Sequence, residues 1–172
     1  LIRDQFGDVR RTQIIADAAT LDLEDLIPLE DMVVTVSHGG YIKRVLLDEY
    51  NTQNRGGKGK SGMSTKDNDY VEHLFVSSSH SDMLFFTSHG RVFREKVYNL
   101  PAGSRQARGK PLNNCIPIEP DEHLAMVLPI REYTEGYNIL FVTSKGRVKK
   151  TDLMAYSKIR SSGIRAIRLN ED

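Results

Sequence analysis

The sequence lacks tryptophan, has one cysteine, and contains no apolar run approaching bilayer length. Each shortage removes a class of protein. Cys115 alone cannot form a disulfide within the chain or a zinc finger built on paired cysteines, and it reads as a small core residue. A spanning helix needs about 20 consecutive apolar residues, and no signal peptide is expected. Excess charge is also missing: 24 Lys and Arg face 23 Asp and Glu, a net of +1, so global charge points to no partner.

Catalytic signatures are equally scarce. No serine stands in a G-x-S-x-G elbow. The five histidines and the lone cysteine have no zinc-ligand spacing;. Asp67 and Asp69 read as solvated carboxylates in a polar loop. The string NRGGKGKS at 54–61 is one residue short of a phosphate-binding loop, because Asn54 stands where the first glycine belongs;. Gly62-Met63-Ser64-Thr65 does not open a helix, so the backbone N–H groups and helix dipole that such a loop needs are not expected.

What the chain does have is a repeat. VVTVSHGGYIKRV from Val33, LFFTSHGRVFREK from Leu84 and LFVTSKGRVKKTD from Leu140 align on Gly39, Gly90 and Gly146, 51 and 56 residues apart. A period near 50 residues belongs to arrays and propellers. Residues 33–36, 84–87 and 140–143 are β-branched or aromatic and predict strands. The Ser-His-Gly or Ser-Lys-Gly that follows predicts a turn. In this register His38 and His89 share one position and Lys145 replaces them, which argues against a chemical role for either. A second glycine follows in each repeat, Gly59, Gly109 and Gly163, inside a basic string. Residues 71–76 and 124–128 predict closing strands. Each repeat therefore offers about four strands, the content of a propeller blade. The third stops at Asp172 before its closing strand, so the array is expected to be cut midway, and a chain beginning at Leu1 is expected to be a piece of something longer. Residues 1–15 have helix-like spacing broken by Gly7. Residues 16–31 are acidic, carry Pro28, and predict a linker.

Charge follows the repeat. Residues 37–60 carry a net of +3, residues 88–114 +5 and residues 144–168 +7, which leaves −14 elsewhere. Glycine lets a backbone approach another surface, and the interleaved cations suit phosphate. Only Tyr41, Tyr50 and Phe93 lie nearby, too few for base stacking. The pattern favours sequence-independent contact with a duplex backbone.

Leu1-Ile2-Arg3, Phe6-Gly7-Asp8, Arg10-Arg11-Thr12 and Ile14, with the Ser-His-Gly motifs and Arg105-Gln106-Ala107-Arg108-Gly109-Lys110-Pro111, resemble the A chains of bacterial DNA gyrases, type IIA topoisomerases. The resemblance runs along essentially the whole chain. The family's seven-residue box falls on Gln53, Asn54, Arg55, Gly56, Gly57, Lys58 and Gly59. Six positions match, and Asn54 stands where the family has a cation, with Lys60 following. The resemblance implies an all-β fold, a β-pinwheel of four-stranded blades, with about three blades here. Residues 1–31 would be an exit segment plus linker, and residues 32–172 a partial pinwheel with repeats at 32–82, 83–138 and 139–172. It implies a part that binds and wraps double-stranded DNA, supports ATP-dependent negative supercoiling, and carries no catalytic residue or cofactor site. ATP belongs to the gyrase B protein, Mg²⁺ to a cleavage site elsewhere. The implied assembly pairs two gyrase A with two gyrase B proteins in the bacterial cytoplasm, at the nucleoid. Expected DNA contacts are Gln53, Arg55, Gly56, Gly57, Lys58, Gly59, Lys60, Lys43, Arg44, Arg91, Arg94, Arg105, Arg108, Lys110, Arg147, Lys149, Lys150, Arg160 and Arg165. Two other readings remain: the matching module of the topoisomerase IV paralogue, and a propeller-like protein-interaction module.

Overall fold

The computed structural model describes residues 5–7, 23–50, 62–65 and 68–169. Gln5 and Phe6 are helical; the other regular elements among them are antiparallel strands and short 3₁₀ turns. Two four-stranded sheets and one hairpin succeed one another along the chain. The first sheet holds β1 (Asp31–Ser37), β2 (Tyr41–Leu46), β3 (Val71–Ser78) and β6 (Lys110–Pro111). The second holds β4 (Asp82–Thr87), β5 (Arg91–Lys96), β7 (Leu124–Ile130) and β10 (Ile164–Arg165). The hairpin is β8 (Asn138–Val142) with β9 (Val148–Asp152).

Strands β1 and β4 lie inside their sheets and are buried on both faces, which is why they read as apolar runs without alternation;. β3 lies at an edge and alternates between exposed and half-buried through most of its length.

The hairpin turns share one construction, and it corrects the sequence register. Ser37, Thr87 and Thr143 each accept from a glycine amide three residues on, at 3.0, 2.9 and 2.9 Å. Those glycines are Gly40, Gly90 and Gly146, all at positive φ. The side-chain hydroxyls of the same three residues accept from the amides of Tyr41, Arg91 and Arg147. The equivalent glycine in the first repeat is therefore Gly40, not Gly39. His38 aligns with Ser88, and His89 with Gly39. The Gly-Gly pair allowed the sequence to slide by one residue.

The expected four strands per repeat are present in each full sheet, but not from one repeat. The sheet orders are β3-β1-β2-β6 and β10-β5-β4-β7. Three strands come from the sheet's own repeat. The fourth, two residues long, comes from the basic string of the following repeat. Lys110 pairs with Ile42 and Ile164 with Val92. Past each short strand, the amides of Leu112 and Ala166 bond the carbonyls of Gly40 and Gly90, both at 2.8 Å.

The core sits between blades. Met32, Val34 and Val36 of the first sheet pack with Met83, Phe85 and Phe93 of the second. Leu84, Phe86 and Val92 on the second sheet's other face pack with Leu153, Tyr156 and the half-buried Phe141 of the third repeat. Among the described residues, nothing gives the outward face of the last hairpin such cover. Leu140, Val142 and Val148 are 62%, 68% and 64% exposed, whereas their counterparts Leu84, Phe86 and Val92 are at most 8% exposed.

Candidate nucleic-acid interface

The basic strings reach their places because glycine permits it. Gly109 has φ +85°, and a Cβ there would lie 2.4 Å from the carbonyl oxygen of Ile42. Gly163 has φ +73°, and a Cβ would lie 2.7 Å from the Phe93 ring. Both numbers forbid a side chain. The surface these glycines approach is the preceding blade. Arg105, Arg108 and Lys110 therefore flank or occupy β6 at the edge of the first sheet, and Arg160 and Arg165 flank or occupy β10 at the same edge of the second.

The expected contacts divide by burial and partner. Gln53, Arg55, Gly56, Gly57, Lys58, Gly59 and Lys60 lie outside the described residues. Lys110, Arg160, Arg165, Arg147 and Lys150 are exposed. Arg105 is half-buried, and so is Arg108, whose guanidinium sits 5.6 Å from the centre of the Tyr41 ring. Lys158 and Arg168, both exposed in the third basic stretch, escaped the motif reading; only the charge count of residues 144–168 signals them.

Four expected contacts are bonded within the protein. Lys43 is 0% exposed, and its ammonium donates to the carbonyls of Ser104 at 3.0 Å and Arg105 at 2.5 Å. Burial pulls its pKa below the ordinary lysine value; Glu49 opposes the fall and Arg105 adds to it. Arg44 donates through Nε to the Leu100 carbonyl at 2.9 Å. Arg94, its counterpart one blade on, donates to the Ser157 carbonyl and faces Asp82 at 3.5 Å. Arg91 joins the fully buried Glu122 carboxylate at 3.1 Å and Glu119 at 3.2 Å, donates to the Ser162 carbonyl, and lies over Phe93. Lys43 is sealed by these bonds, while Arg44, Arg91 and Arg94 stay half-buried and tie their sheets to the repeat that follows. Lys149 belongs to both groups: it is exposed, yet its ammonium donates to the Ala166 carbonyl.

The opposite edges carry carboxylates. Glu72 lies on β3, and Glu119, Asp121 and Glu122 precede β7. Asp69, read as solvated, instead accepts from the amides of Gly39 at 2.7 Å and Tyr70 at 2.9 Å. Desolvation raises its pKa, but those bonds outweigh it and the net shift is downward. His89, Glu119 and Asp121 bring three ligand-capable atoms within 4.8 Å. Yet both imidazole nitrogens face carboxylates and Arg91 holds Glu119, the arrangement of an ion-pair cluster. Cys115 is half-buried, packs beside the first core cluster, and has its thiol pKa pushed up by that burial. No helix among the described residues is long and apolar enough to cross a membrane.

Comparison with known proteins adds to this geometry. The family profile described as the DNA gyrase C-terminal domain, a β-propeller, matches residues 31–78, 81–131 and 137–172. The DNA gyrase A protein of Salmonella typhimurium is 50% identical over 171 residues, 99% of this chain and 20% of that protein. The corresponding Escherichia coli K12 protein is 48% identical over 165 residues, 96% of this chain and 19% of that protein. The chain thus spans about a fifth of the length of these relatives. Among solved structures, a topoisomerase IV C-terminal domain superposes with a TM-score of 0.72 at 32% identity, covering 85% of this chain and 44% of that one. A gyrase A C-terminal domain gives 0.65 at 20% identity, covering 83% and 45%, and bears on the fold alone.

Proposed function

The chain belongs to the DNA gyrase C-terminal domain family, and from that premise we propose that it is a non-catalytic DNA-binding part of a type II topoisomerase that holds duplex DNA by its phosphates. One observation carries the reading. The basic strings of successive repeats are latched at the same edge of successive sheets, so Arg105, Arg108 and Lys110 are followed by Arg160 and Arg165 in the next blade. Carboxylates gather toward the opposite edges. A duplex laid along the basic edge meets cations at intervals and contacts no base.

The finer mechanism follows from the same arrangement. Bending a duplex of 20–30 base pairs costs roughly 1–6 kcal/mol. A curved row of phosphate contacts offsets that cost without sequence readout, as in other wrapping proteins. Wrapping of one hand would set the crossing on which a distant cleavage site acts and so support ATP-dependent negative supercoiling. The partners implied are duplex DNA, a gyrase B protein and a second gyrase A protein. ATP and Mg²⁺ would serve parts of the assembly other than this domain, in the bacterial cytoplasm.

The test is duplex binding against salt. The wild type is expected to give a log–log slope of several. Replacing Arg105 and Lys110 by Gln, or Arg160 and Arg165 by Gln, is expected to lower it by roughly 2 in each case, about 0.9 for each lost contact. Unchanged slopes in both variants sink the proposal, and binding insensitive to salt would favour a protein-interaction module. The 32% identity to a topoisomerase IV domain keeps that paralogue as the second reading. Supercoiling by the reconstituted holoenzyme separates the two: relaxation without negative supercoiling favours topoisomerase IV.

A further inference from the structure

Residues 24–30 lie outside the sheets and are nevertheless tied to the β3–β4 turn and to the end of β5. The Ser79 amide donates to the Glu30 carbonyl at 2.8 Å. The Glu30 amide donates back to Ser79 Oγ at 3.2 Å, and that hydroxyl donates to the Pro28 carbonyl at 2.8 Å. One hydroxyl has both a proton to give and lone pairs to receive. His80 Nε2 stands 3.0 Å from the Ile27 carbonyl, a bond that assigns the proton to Nε2;. The His80 ring meets Tyr98 edge-on.

Lys96 completes the set at the end of β5. Its ammonium binds the Glu24 carboxylate at 3.0 Å and the His80 carbonyl at 3.0 Å. Desolvation lowers its pKa, but Glu24 and Asp82 outweigh that and raise it. The anchoring turn is itself held, since the amides of Tyr98 and Val97 bond the carbonyls of Ser79 and Ser81 at 2.9 and 3.0 Å. Apolar burial does not explain the docking, because Leu26 and Leu29 are 66% and 72% exposed. Backbone hydrogen bonds and one ion pair hold the segment.

We propose that residues 24–30 form an anchored strap, pinned by Ser79, His80 and Lys96, that fixes where the preceding chain leaves the domain. The strap leads into β1 of the first sheet but is fastened at the β3–β4 junction, where the second sheet begins. The acidic stretch is therefore no free linker up to residue 31. Its last seven residues, about 23 Å of chain if extended, are subtracted from the tether. The domain then hangs from the junction of its first two blades with a restricted orientation. Salt screens the Glu24–Lys96 pair, so ionic strength loosens the pin at that end while the Ser79 bonds persist.

Hydrogen exchange and zero-length carbodiimide cross-linking on the whole protein test this without reference to DNA. The Glu30 amide is expected to be protected, and a Glu24–Lys96 cross-link is expected in the wild type. Ser79→Ala should lower Glu30 protection at least tenfold and leave the Val34 and Phe85 amides unchanged. Lys96→Gln, at a partly exposed position that spares the fold if Ser79→Ala does not, should remove the cross-link. It should also lower Glu30 protection about threefold, a difference that vanishes at high salt. Unprotected exchange through residues 24–30 in the wild type, absence of the cross-link, or no response to either substitution overturns the strap.

Discussion

Gly109 and Gly146 both hold φ near +80°, yet they ask different things of their residue. Gly146 has open space where a Cβ would go, so Gly146→Ala incurs only the left-handed backbone penalty, about 1–2 kcal/mol. Gly109→Ala adds a collision with the Ile42 carbonyl and should cost roughly 3 kcal/mol or more. Urea midpoints of the two variants check the difference, and equal losses would mean that the latch does not press on the preceding blade. Lys43 makes the matching case for charge. Lys43→Met leaves the carbonyls of Ser104 and Arg105 without a donor and should cost about 2 kcal/mol, with no change in the salt slope of DNA binding. Its folded pKa lies below the unfolded value of 10.5. Between those two values the unfolded chain binds more protons, so the Lys43 contribution makes stability rise with pH. Tyr133 acts the opposite way above its unfolded value of 10.0: burial raises its phenol, the folded chain then holds the extra proton, and its contribution makes stability fall with pH;. The Lys43 effect is therefore read as wild type minus Lys43→Met, and a flat difference in the window below pH 10.5 would contradict it.

At the scale of elements, equal sequence positions carry unequal energies. Leu84 and Leu140 occupy the same place in their hairpins, but one is 0% and the other 62% exposed. Leu84→Ala should cost about 2–5 kcal/mol through lost burial and a cavity. Leu140→Ala should cost about 0.5 kcal/mol or less in this chain. Thermal or urea unfolding separates the two, and similar losses would mean that the hairpin's outward face is covered in solution. The strands themselves were legible because β1 and β4 are buried on both faces and leave an apolar run in the sequence. The short strands β6 and β10 were not. Two residues carry no period, and their pairing partners stand roughly 70 residues upstream. The string RQARGKP advertises charge and glycine, while its role as a strand of another blade has no local signature.

For the whole molecule, strand donation makes each blade depend on the next repeat, and the same latch orders the cations. Combining the substitutions at Arg105, Lys110, Arg160 and Arg165 is expected to lower the salt slope by roughly 4, the two pairs adding because they sit on separate blades. A combined loss no larger than that of one pair would mean that the two edges do not serve one duplex. Folding should be shared in the same way. A latch that fills the edge of one sheet while rooted in another repeat favours a common unfolding transition for the first two blades over independent steps.

The class of fold, the hairpins, the turn glycines of the second and third repeats, and the gathering of positive charge in three stretches are all legible in the order of the residues. These are local properties: burial on two faces leaves apolar runs, and a left-handed turn needs glycine. Even there, two adjacent glycines concealed which one makes the first turn. Which cations face outward is settled by packing between repeats. Lys43 and Lys110 are equally basic in the sequence, but one is sealed beneath the incoming repeat and the other lies on the edge that repeat provides. The distinction depends on a contact between segments roughly 60 residues apart, and no window of sequence records what will fold across it.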